Sequence, residues 1–298
     1  MFAIVSKNTK FKKIAKIKGG EHKNKYLVIK PYKYKLSDVS SALKNRLSKE
    51  QLDILDEAIT TGFEPDNDYM KDVYYEVLDE FNKLKRKGIK LHSGKFERLL
   101  DFTMNERIYV AGASGSGKTY YSTKLVEQYL KYYKKKKKDN DFVLVSGVAP
   151  SENLLDMLPY EIAPEDIAMN GLAVDDIRDS IILFDDVFSH PDIRVKKGVI
   201  SSVNNLIETN RHSNTTVIMI NHLLTDAHNT RKILNECSSV VFFPNGSSKY
   251  SITKYLSNYE NMDADLIRRI VNLPSRSVTL VKSHQPNYIL HDKGAFFI

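Results

Sequence analysis

A phosphate-binding loop constrains this chain more than any other feature of its sequence. Residues 112–119 read Gly-Ala-Ser-Gly-Ser-Gly-Lys-Thr, which completes the pattern G-x-x-x-x-G-K-[ST], and an apolar run at residues 107–111 precedes them. Glycines let successive backbone N–H groups face a polyphosphate, and the helix that follows directs its positive end at the same charge. The pattern therefore predicts a strand, a loop and a helix that together bind a nucleoside triphosphate.

The residues of this loop have separate expected roles. Lys118 is predicted to reach the β- and γ-phosphates as a point charge, and Thr119 to offer its hydroxyl group to Mg²⁺. A dinucleotide-binding loop is excluded, because G-x-G-x-x-G counted from Gly115 needs a glycine where Tyr120 stands. The predicted nucleotide-binding residues are Gly112, Ala113, Ser114, Gly115, Ser116, Gly117, Lys118, Thr119 and Tyr120.

A second catalytic element is predicted where an apolar run ends in two acids. Residues 181–184 read Ile-Ile-Leu-Phe, and Asp185 and Asp186 follow them. An acid at the tip of a strand can meet a metal ion held by Thr119, so Asp185 is predicted to coordinate Mg²⁺ through a water molecule. Asp186 is then placed to accept a proton from the attacking water. Glutamate fills that role more often, so the identity of the catalytic base stays open.

A third element consists of a polar turn and the strand after it. Arg211 and His212 lie in the turn, and the apolar run that follows ends in Asn221. Arg211 is predicted to neutralise charge on a transferring phosphoryl group, in its own subunit or in a neighbouring one. Asn221 is predicted to orient the attacking water or to sense the γ-phosphate. As alternatives, Arg211 is a surface salt-bridge residue and Asn221 a turn former.

From residue 105 onward, strand and helix patterns alternate, which is typical of a parallel sheet with crossover helices. The predicted domains are a basic α+β extension at residues 1–100 and an α/β P-loop domain at residues 101–298. In the extension we expect a hairpin around Gly19 and Gly20 and helices after Ser48 and near Asp68. At the C-terminal end of the P-loop domain we expect a closing hairpin. The predicted core strands are residues 107–111, 142–146, 181–184, 216–220 and 240–243.

Charge and cysteine content limit the partners and the compartment. The net charge of the 298 residues is +8, and residues 1–35 hold eleven lysines against the single acid Glu21. This segment is either a nucleic-acid contact or a solvated basic surface. Cys237 is the only cysteine, which excludes a disulfide within the chain and favours a reducing compartment. No apolar run has the length of a membrane span, so we expect a soluble protein.

The order of these elements resembles the genome-packaging ATPases of large eukaryotic DNA viruses, the poxvirus-type branch of the FtsK/HerA superfamily. The similarity covers about residues 105–245, and the Asn-Arg-His turn before the strand that ends in Asn221 is its most selective part. The resemblance implies an additional-strand P-loop fold with a mainly parallel sheet of order 5-1-4-3-2, and ATP and Mg²⁺ as cofactors. It further implies a homo-oligomeric ring that moves double-stranded DNA into a capsid, through nonspecific contacts.

The same resemblance assigns roles to single residues and a setting to the protein. Arg211 matches the arginine finger that acts on a neighbouring subunit, and Arg231 is a second candidate for the subunit interface. Asn221 matches the sensor position, although the family's usual sensor is glutamine. Capsid or portal proteins are expected partners, and the host-cell cytoplasm, with the virion as a second place, is the expected location. Residues 1–100 have no counterpart in the resemblance.

Two further functions stay open from the sequence. A P-loop kinase for a nucleoside or small metabolite would work as a monomer and ignore DNA, but it needs an arginine-rich lid that the sequence does not offer. A nucleotide-dependent virion assembly protein would bind ATP and barely hydrolyse it. Asp186 in place of a glutamate keeps that second alternative open.

Overall fold

A computed structural model describes residues 1–138, 140–173 and 175–298, apart from the side chains of residues 227–229. The elements before the P-loop domain are β1 Phe2–Val5, β2 Lys13–Lys18, β3 Tyr26–Ile29, α1 Ser41–Lys44, α2 Lys49–Thr61, α3 Asp68–Lys87, β4 Ile89–Lys90 and β5 Lys95–Arg98. The later elements are β6 Arg107–Ala111, α4 Lys118–Lys135, β7 Asp141–Ser146, α5 Glu152–Leu155, β8 Tyr160–Glu161, α6 Pro164–Asn170, β9 Ser180–Asp185, α7 Ile193–Thr209, β10 Thr216–Asn221, α8 Ala227–Glu236, β11 Ser239–Phe242, α9 Lys249–Asn258, α10 Ala264–Val271, β12 Val278–Val281, β13 Tyr288–His291 and β14 Gly294–Phe297.

A large mixed sheet organises the P-loop domain. Over the described residues its strand order is β4-β14-β13-β12-β11-β6-β10-β9-β7-β8. The pairs within β11-β6-β10-β9-β7 are all parallel. Numbered along the chain, these central strands have the order 5-1-4-3-2, so the predicted α/β P-loop fold is confirmed. The carboxyl ends of β6, β9 and β10 therefore meet at one edge, where a ligand binds in such sheets.

Helices cover both faces of the central strands, which explains why these strands are apolar along their whole length. On one face α4 packs Leu125, Val126 and Tyr129 against alternate strand residues. On the other face α7 packs Val199, Val203 and further apolar residues against the intervening ones. The position of the phosphate-binding helix is thus fixed by burial.

None of the helices in the described parts of the chain is long and apolar enough to cross a membrane.

The first part of the chain forms a second, smaller sheet and a helical pair. The order of this antiparallel sheet, within the described residues, is β1-β3-β2-β5, and β2 and β3 are the predicted hairpin. Ser48 and Gln51 form a capping box at the start of α2, and α3 begins at Asp68, where a helix was predicted. The inner face of the small sheet packs Ile17 and Leu27 against Tyr288 and Phe297 of the C-terminal strands.

The end of the chain closes the large sheet instead of standing apart. The predicted hairpin is present as β12 and β13, and it continues through β14 to β4, which precedes the P-loop. β14 and its pairings with β13 and β4 were not predicted from the sequence. Strands from both predicted parts of the chain share one sheet, so the division at residue 100 stays a prediction.

Candidate nucleotide-binding site

The phosphate-binding loop connects β6 to α4 at the carboxyl edge of the large sheet. Gly117 caps α4 with a φ of 105°, a conformation that disfavours any side chain. Two backbone hydrogen bonds hold the start of the loop: Gly112 N–H donates to the Asn221 carbonyl at 3.1 Å, and Ala113 N–H donates to the Gly246 carbonyl at 2.9 Å. The loop is therefore fixed between the tip of β10 and the segment that follows β11.

Lys118 lies folded back into this loop. Its side chain is buried, and Nζ donates to the Ala113 carbonyl at 3.2 Å. Nζ also lies 3.3 Å from Nδ1 of His222. Burial lowers the pKa of Lys118, against the opposing charges of Asp186 and Asp185. The ammonium group is thus a desolvated cation at the edge where two strands end in acids.

Asp185 ends β9 and is 95% buried, with 5% of its surface exposed. Burial and the neighbouring Asp186 raise its pKa to about 6, and Lys118 opposes the rise. Its Oδ1 is buried and has no hydrogen-bond partner within the described residues. A buried carboxylate oxygen without a partner is costly unless a cation binds it, so this group fits the expected Mg²⁺. Thr119, in the first turn of α4, offers the kind of oxygen that Mg²⁺ prefers.

Asp186 follows in a left-handed conformation, with a φ of 51°. Its Oδ2 lies 3.1 Å from Nε2 of His222, whose other ring nitrogen faces Lys118. The buried Oδ1 of Asp186 has no partner in the described parts of the chain. His222 therefore bridges the loop lysine and the second acid. His222 was not predicted from the sequence, although its place directly after an apolar strand that ends at the same edge as β9 is a usable signal.

Asn221 reaches the same edge, but its amide group is engaged elsewhere. Its Nδ2 donates to the hydroxyl group of Tyr109 at 2.9 Å, and its Oδ1 accepts from the Leu223 N–H at 3.4 Å. The Tyr109 hydroxyl in turn donates to the Leu223 carbonyl at 2.6 Å. These bonds fix the turn after β10. The side chain that contacts Lys118 is that of His222, while the sensor role of Asn221 stays a prediction.

The structure does not bring Arg211 to this site. Arg211 is exposed in the turn between α7 and β10, at the amino end of β10. The six residues of β10 span about 20 Å, and Lys118 and Asp185 lie at the opposite edge. Asn210 fixes the turn through bonds from Nδ2 to the Thr215 carbonyl at 3.0 Å and the Asn105 carbonyl at 3.1 Å. A contact with its own P-loop, one of the two alternatives read from the sequence, is therefore ruled out by distance.

Arg231 was named from the sequence as a second candidate for the subunit interface. Arg231 is exposed on α8. Arg276, just before the C-terminal hairpin, lies against the phosphate-binding loop: a Cβ placed on Gly117 would be 2.8 Å from its Nη2. The arrangement at the carboxyl edge thus unites the loop, the two acids and two residues that the sequence analysis did not assign to it, His222 and Arg276.

Comparisons with known proteins place the chain in a family. No family model matches it. The uncharacterized protein V3 of the Sputnik virophage is 34% identical over 221 residues, which are 74% of this chain and 87% of that protein.

Solved structures show weaker similarity. The genome packaging NTPase B204 from Sulfolobus turreted icosahedral virus 2, in complex with AMPPCP, matches with a TM-score of 0.42 and 14% identity, covering 62% of this chain and 97% of that one. The pCW3 conjugation coupling protein TcpA has a TM-score of 0.40 and 10% identity, covering 95% and 76%. Neither likeness establishes a function. Through the virophage relative, the chain belongs to the same protein family as V3 of the Sputnik virophage.

Proposed function

We propose that this protein is an ATPase that drives double-stranded DNA into a viral capsid, as a ring of identical subunits. The observation that supports ATP hydrolysis most directly is the buried carboxylate of Asp185, which has an unpartnered oxygen beside the loop that carries Lys118. A protein that only needed a stable core would not keep such a group there, because burying it unpaired costs free energy. The packaging role is supported by the sequence resemblance and by membership of a viral family.

In this proposal the loop backbone from Gly112 to Tyr120 binds the phosphates and Lys118 neutralises their charge. Thr119 and Asp185 hold Mg²⁺, which when bound withdraws charge from the β- and γ-phosphates. When nucleotide binds, Lys118 gives up its contact with His222 and contacts a phosphate, since an ammonium group binds an anion more strongly than a neutral ring nitrogen. Nucleotide binding would then leave Nδ1 of His222 without its contact with Lys118.

Asp186 is the proposed acceptor of the proton from the attacking water. His222 positions it, because the ring nitrogen Nε2 lies 3.1 Å from the carboxylate oxygen Oδ2 of Asp186. An aspartate is shorter than the glutamate usual in this role, and the neighbouring histidine compensates by fixing its direction. Asn221 supports the same edge through the turn after β10 and completes the proposed set of catalytic residues.

Arg211 is proposed to act on the ATP site of a neighbouring subunit. It is exposed at the amino edge of the sheet, and the ATP site lies at the carboxyl edge. A head-to-tail arrangement brings one subunit's amino edge to the next subunit's carboxyl edge, and such interfaces form a ring when the rotation between subunits closes. An arginine supplied in this way contributes about 10³ to 10⁵ in rate where it has been measured. Arg231 is a second candidate for this interface.

DNA is the proposed partner of the basic first part of the chain. Lys16 and Lys18 project from the face of the small sheet opposite Ile17, and cross-strand pairing puts Lys95 on the same face. Lysines bind phosphates without reading sequence, so affinity should be nonspecific and should fall steeply as salt rises. Capsid or portal proteins are further proposed partners, and the host-cell cytoplasm, where virions assemble, is the proposed location.

Mixed subunits test the shared ATP site. Lys118→Ala removes the site's own cation, and Arg211→Ala removes the group donated to the neighbour. Each variant alone should lose at least about a hundredfold in DNA-stimulated ATP hydrolysis, and an equimolar mixture should regain part of the rate, because a Lys118→Ala subunit still supplies Arg211. Arg194→Ala, another exposed arginine, is the control and should hydrolyse ATP like the wild type. A mixture as inactive as its components refutes the shared site.

The same assay separates the alternatives. Steady-state hydrolysis by the wild type, with and without long double-stranded DNA and across protein concentrations, should rise with DNA and with assembly. A rate that ignores both DNA and protein concentration would indicate a monomeric kinase. Tight ATP binding without turnover would indicate an assembly protein.

A further inference from the structure

The phosphate-binding loop has two different sides in the sheet. On one side of β6 lie β10 and β9, which carry the acids and His222. On the other side lie β11 and the C-terminal strands. If the proposed ATPase function holds, the γ-phosphate lies with the acids, because hydrolysis takes place there. The other end of the nucleotide must then point toward β11 and β12, and what lies on that side decides what the protein can bind.

Arg276 is a cation on that side that lies directly against the phosphate-binding loop. It precedes β12, and its backbone N–H donates to Oδ2 of Asp292 at 2.9 Å, which fixes the segment. Its guanidinium group lies against Gly117, within 2.8 to 3.3 Å of where a Cβ would stand. No hydrogen bond or ion pair from that guanidinium is formed within residues that the structure describes. An arginine held at a phosphate-binding loop without an acidic partner is available for an anion.

Tyr120 presents an aromatic ring beside this cation. The residue is 59% exposed, although it directly follows the loop. The Arg276 guanidinium carbon lies 5.9 Å from the ring centroid, and Nζ of Lys124 lies 5.6 Å from it. Lys124 is itself paired with Glu127, at 2.7 Å. An exposed ring between the loop and an unpaired arginine is a stacking surface for another planar group.

A cleft opens at this point, and the small N-terminal sheet forms its far wall. The cleft has a volume of about 140 Å³, and it runs between α4, β5 and β13. A cavity of roughly 150 Å³ holds a benzene molecule in another protein, so the cleft has room for part of a planar ring and none for a triphosphate. Gln128 of α4 fixes the wall: Nε2 donates to the Arg98 carbonyl at 3.0 Å, and Oε1 accepts from the Leu100 N–H at 3.2 Å.

We propose that this cleft is the nucleoside subsite of the ATP site, in which the Tyr120 ring packs against the base and Arg276 binds the α-phosphate. The edge strand β5 closes it, which makes residues 95–98 part of the nucleotide site. The first hundred residues, for which the family resemblance implies no role, thereby contribute a wall to the site at which hydrolysis takes place. The proposal rests on the proposed function, since it needs the phosphates in the loop.

Calorimetric titration of the full chain with ATP and with inorganic tripolyphosphate, both with Mg²⁺, tests the subsite. Tyr120→Ala should weaken ATP binding about tenfold and leave tripolyphosphate binding unchanged, because only ATP has a base to stack. Tyr120→Phe keeps the ring and should bind both like the wild type. Arg276→Ala should weaken both ligands about tenfold, and the exposed Arg268→Ala is the control that should weaken neither.

Any other binding result overturns a specific part of the proposal. ATP binding by Tyr120→Ala within twofold of the wild type overturns the stacking role, and so does an equal loss of ATP and tripolyphosphate. Unchanged binding by Arg276→Ala overturns the phosphate contact. A wild-type protein that binds ATP and tripolyphosphate, with both variants unaffected, refutes the subsite alone. A wild-type protein that binds neither ligand refutes the ATPase proposal and the subsite with it.

Discussion

Replacement of Asp185 by asparagine should stabilise the protein while it ends ATP hydrolysis. Burial and the charge of Asp186 raise the pKa of Asp185 from an ordinary 3.8 to about 6 in the folded chain. Such an acid binds its proton more tightly in the folded state, so stability is lost as pH rises through this interval. At about 1.4 kcal/mol for each tenfold change in proton affinity, the loss is about 3 kcal/mol above pH 6. Asparagine stays neutral at every pH in this range, so the variant does not undergo this loss of stability.

The assay is urea unfolding of wild type and Asp185→Asn without nucleotide, from pH 4 to pH 8. The variant should be more stable by about 3 kcal/mol at pH 8, and the difference should vanish toward pH 4, where wild-type Asp185 is protonated when folded. Asp175→Asn is the control, since that side chain is 91% exposed, and it should show no such pH-dependent gap. Equal stabilities at pH 8, or a gap independent of pH, would refute the reasoning that Asp185 is a desolvated acid whose negative charge destabilises the folded protein when no cation is bound.

Two other perturbations have defined expected outcomes. His222→Ala removes the group that positions Asp186, so ATP hydrolysis should fall at least about tenfold while ATP affinity in calorimetry stays within a few-fold, and an unchanged rate would show that the bridge has no part in hydrolysis. Ser48→Ala removes the cap of α2 and should cost about 1 kcal/mol in urea unfolding without changing ATP hydrolysis, whereas a cost near zero would mean that solvent satisfies the Gln51 N–H equally well.

The sequence predicted the parts of the fold that depend on local pattern. Short apolar runs predicted the five core strands, and a helix was predicted near Asp68, where α3 begins. The strand order came from the family resemblance and is confirmed. The pairing of β14 with β4 was missed, because a two-residue strand has no periodicity to detect and its partner lies about two hundred residues away.

Site residues that belong to a motif with fixed spacing along the chain were predicted from the sequence. Site residues that reach the site only through the fold of the chain were missed. Lys118, Asp185 and Asp186 follow from motif and strand tip, and the structure brings them together. His222 and Arg276 have no motif, since one enters the site by its position after β10 and the other by the return of the C-terminal strands. The exclusion of Arg211 from its own site also needed the sheet, because the parallel pairing of β10 with β6 and β9 puts the end of β10, and not its start, at the edge of the phosphate-binding loop.

The packing of the small N-terminal sheet against the last strands sets an order of events during synthesis. Ile17 and Leu27 are made first and find their partners Tyr288 and Phe297 only when almost the whole chain has left the ribosome. Contacts so distant in sequence slow folding and leave apolar surface exposed to aggregation in the interval. The many lysines of that segment then reduce aggregation, since their mutual repulsion keeps nascent chains apart until the C-terminal strands that cover Ile17 and Leu27 have been made.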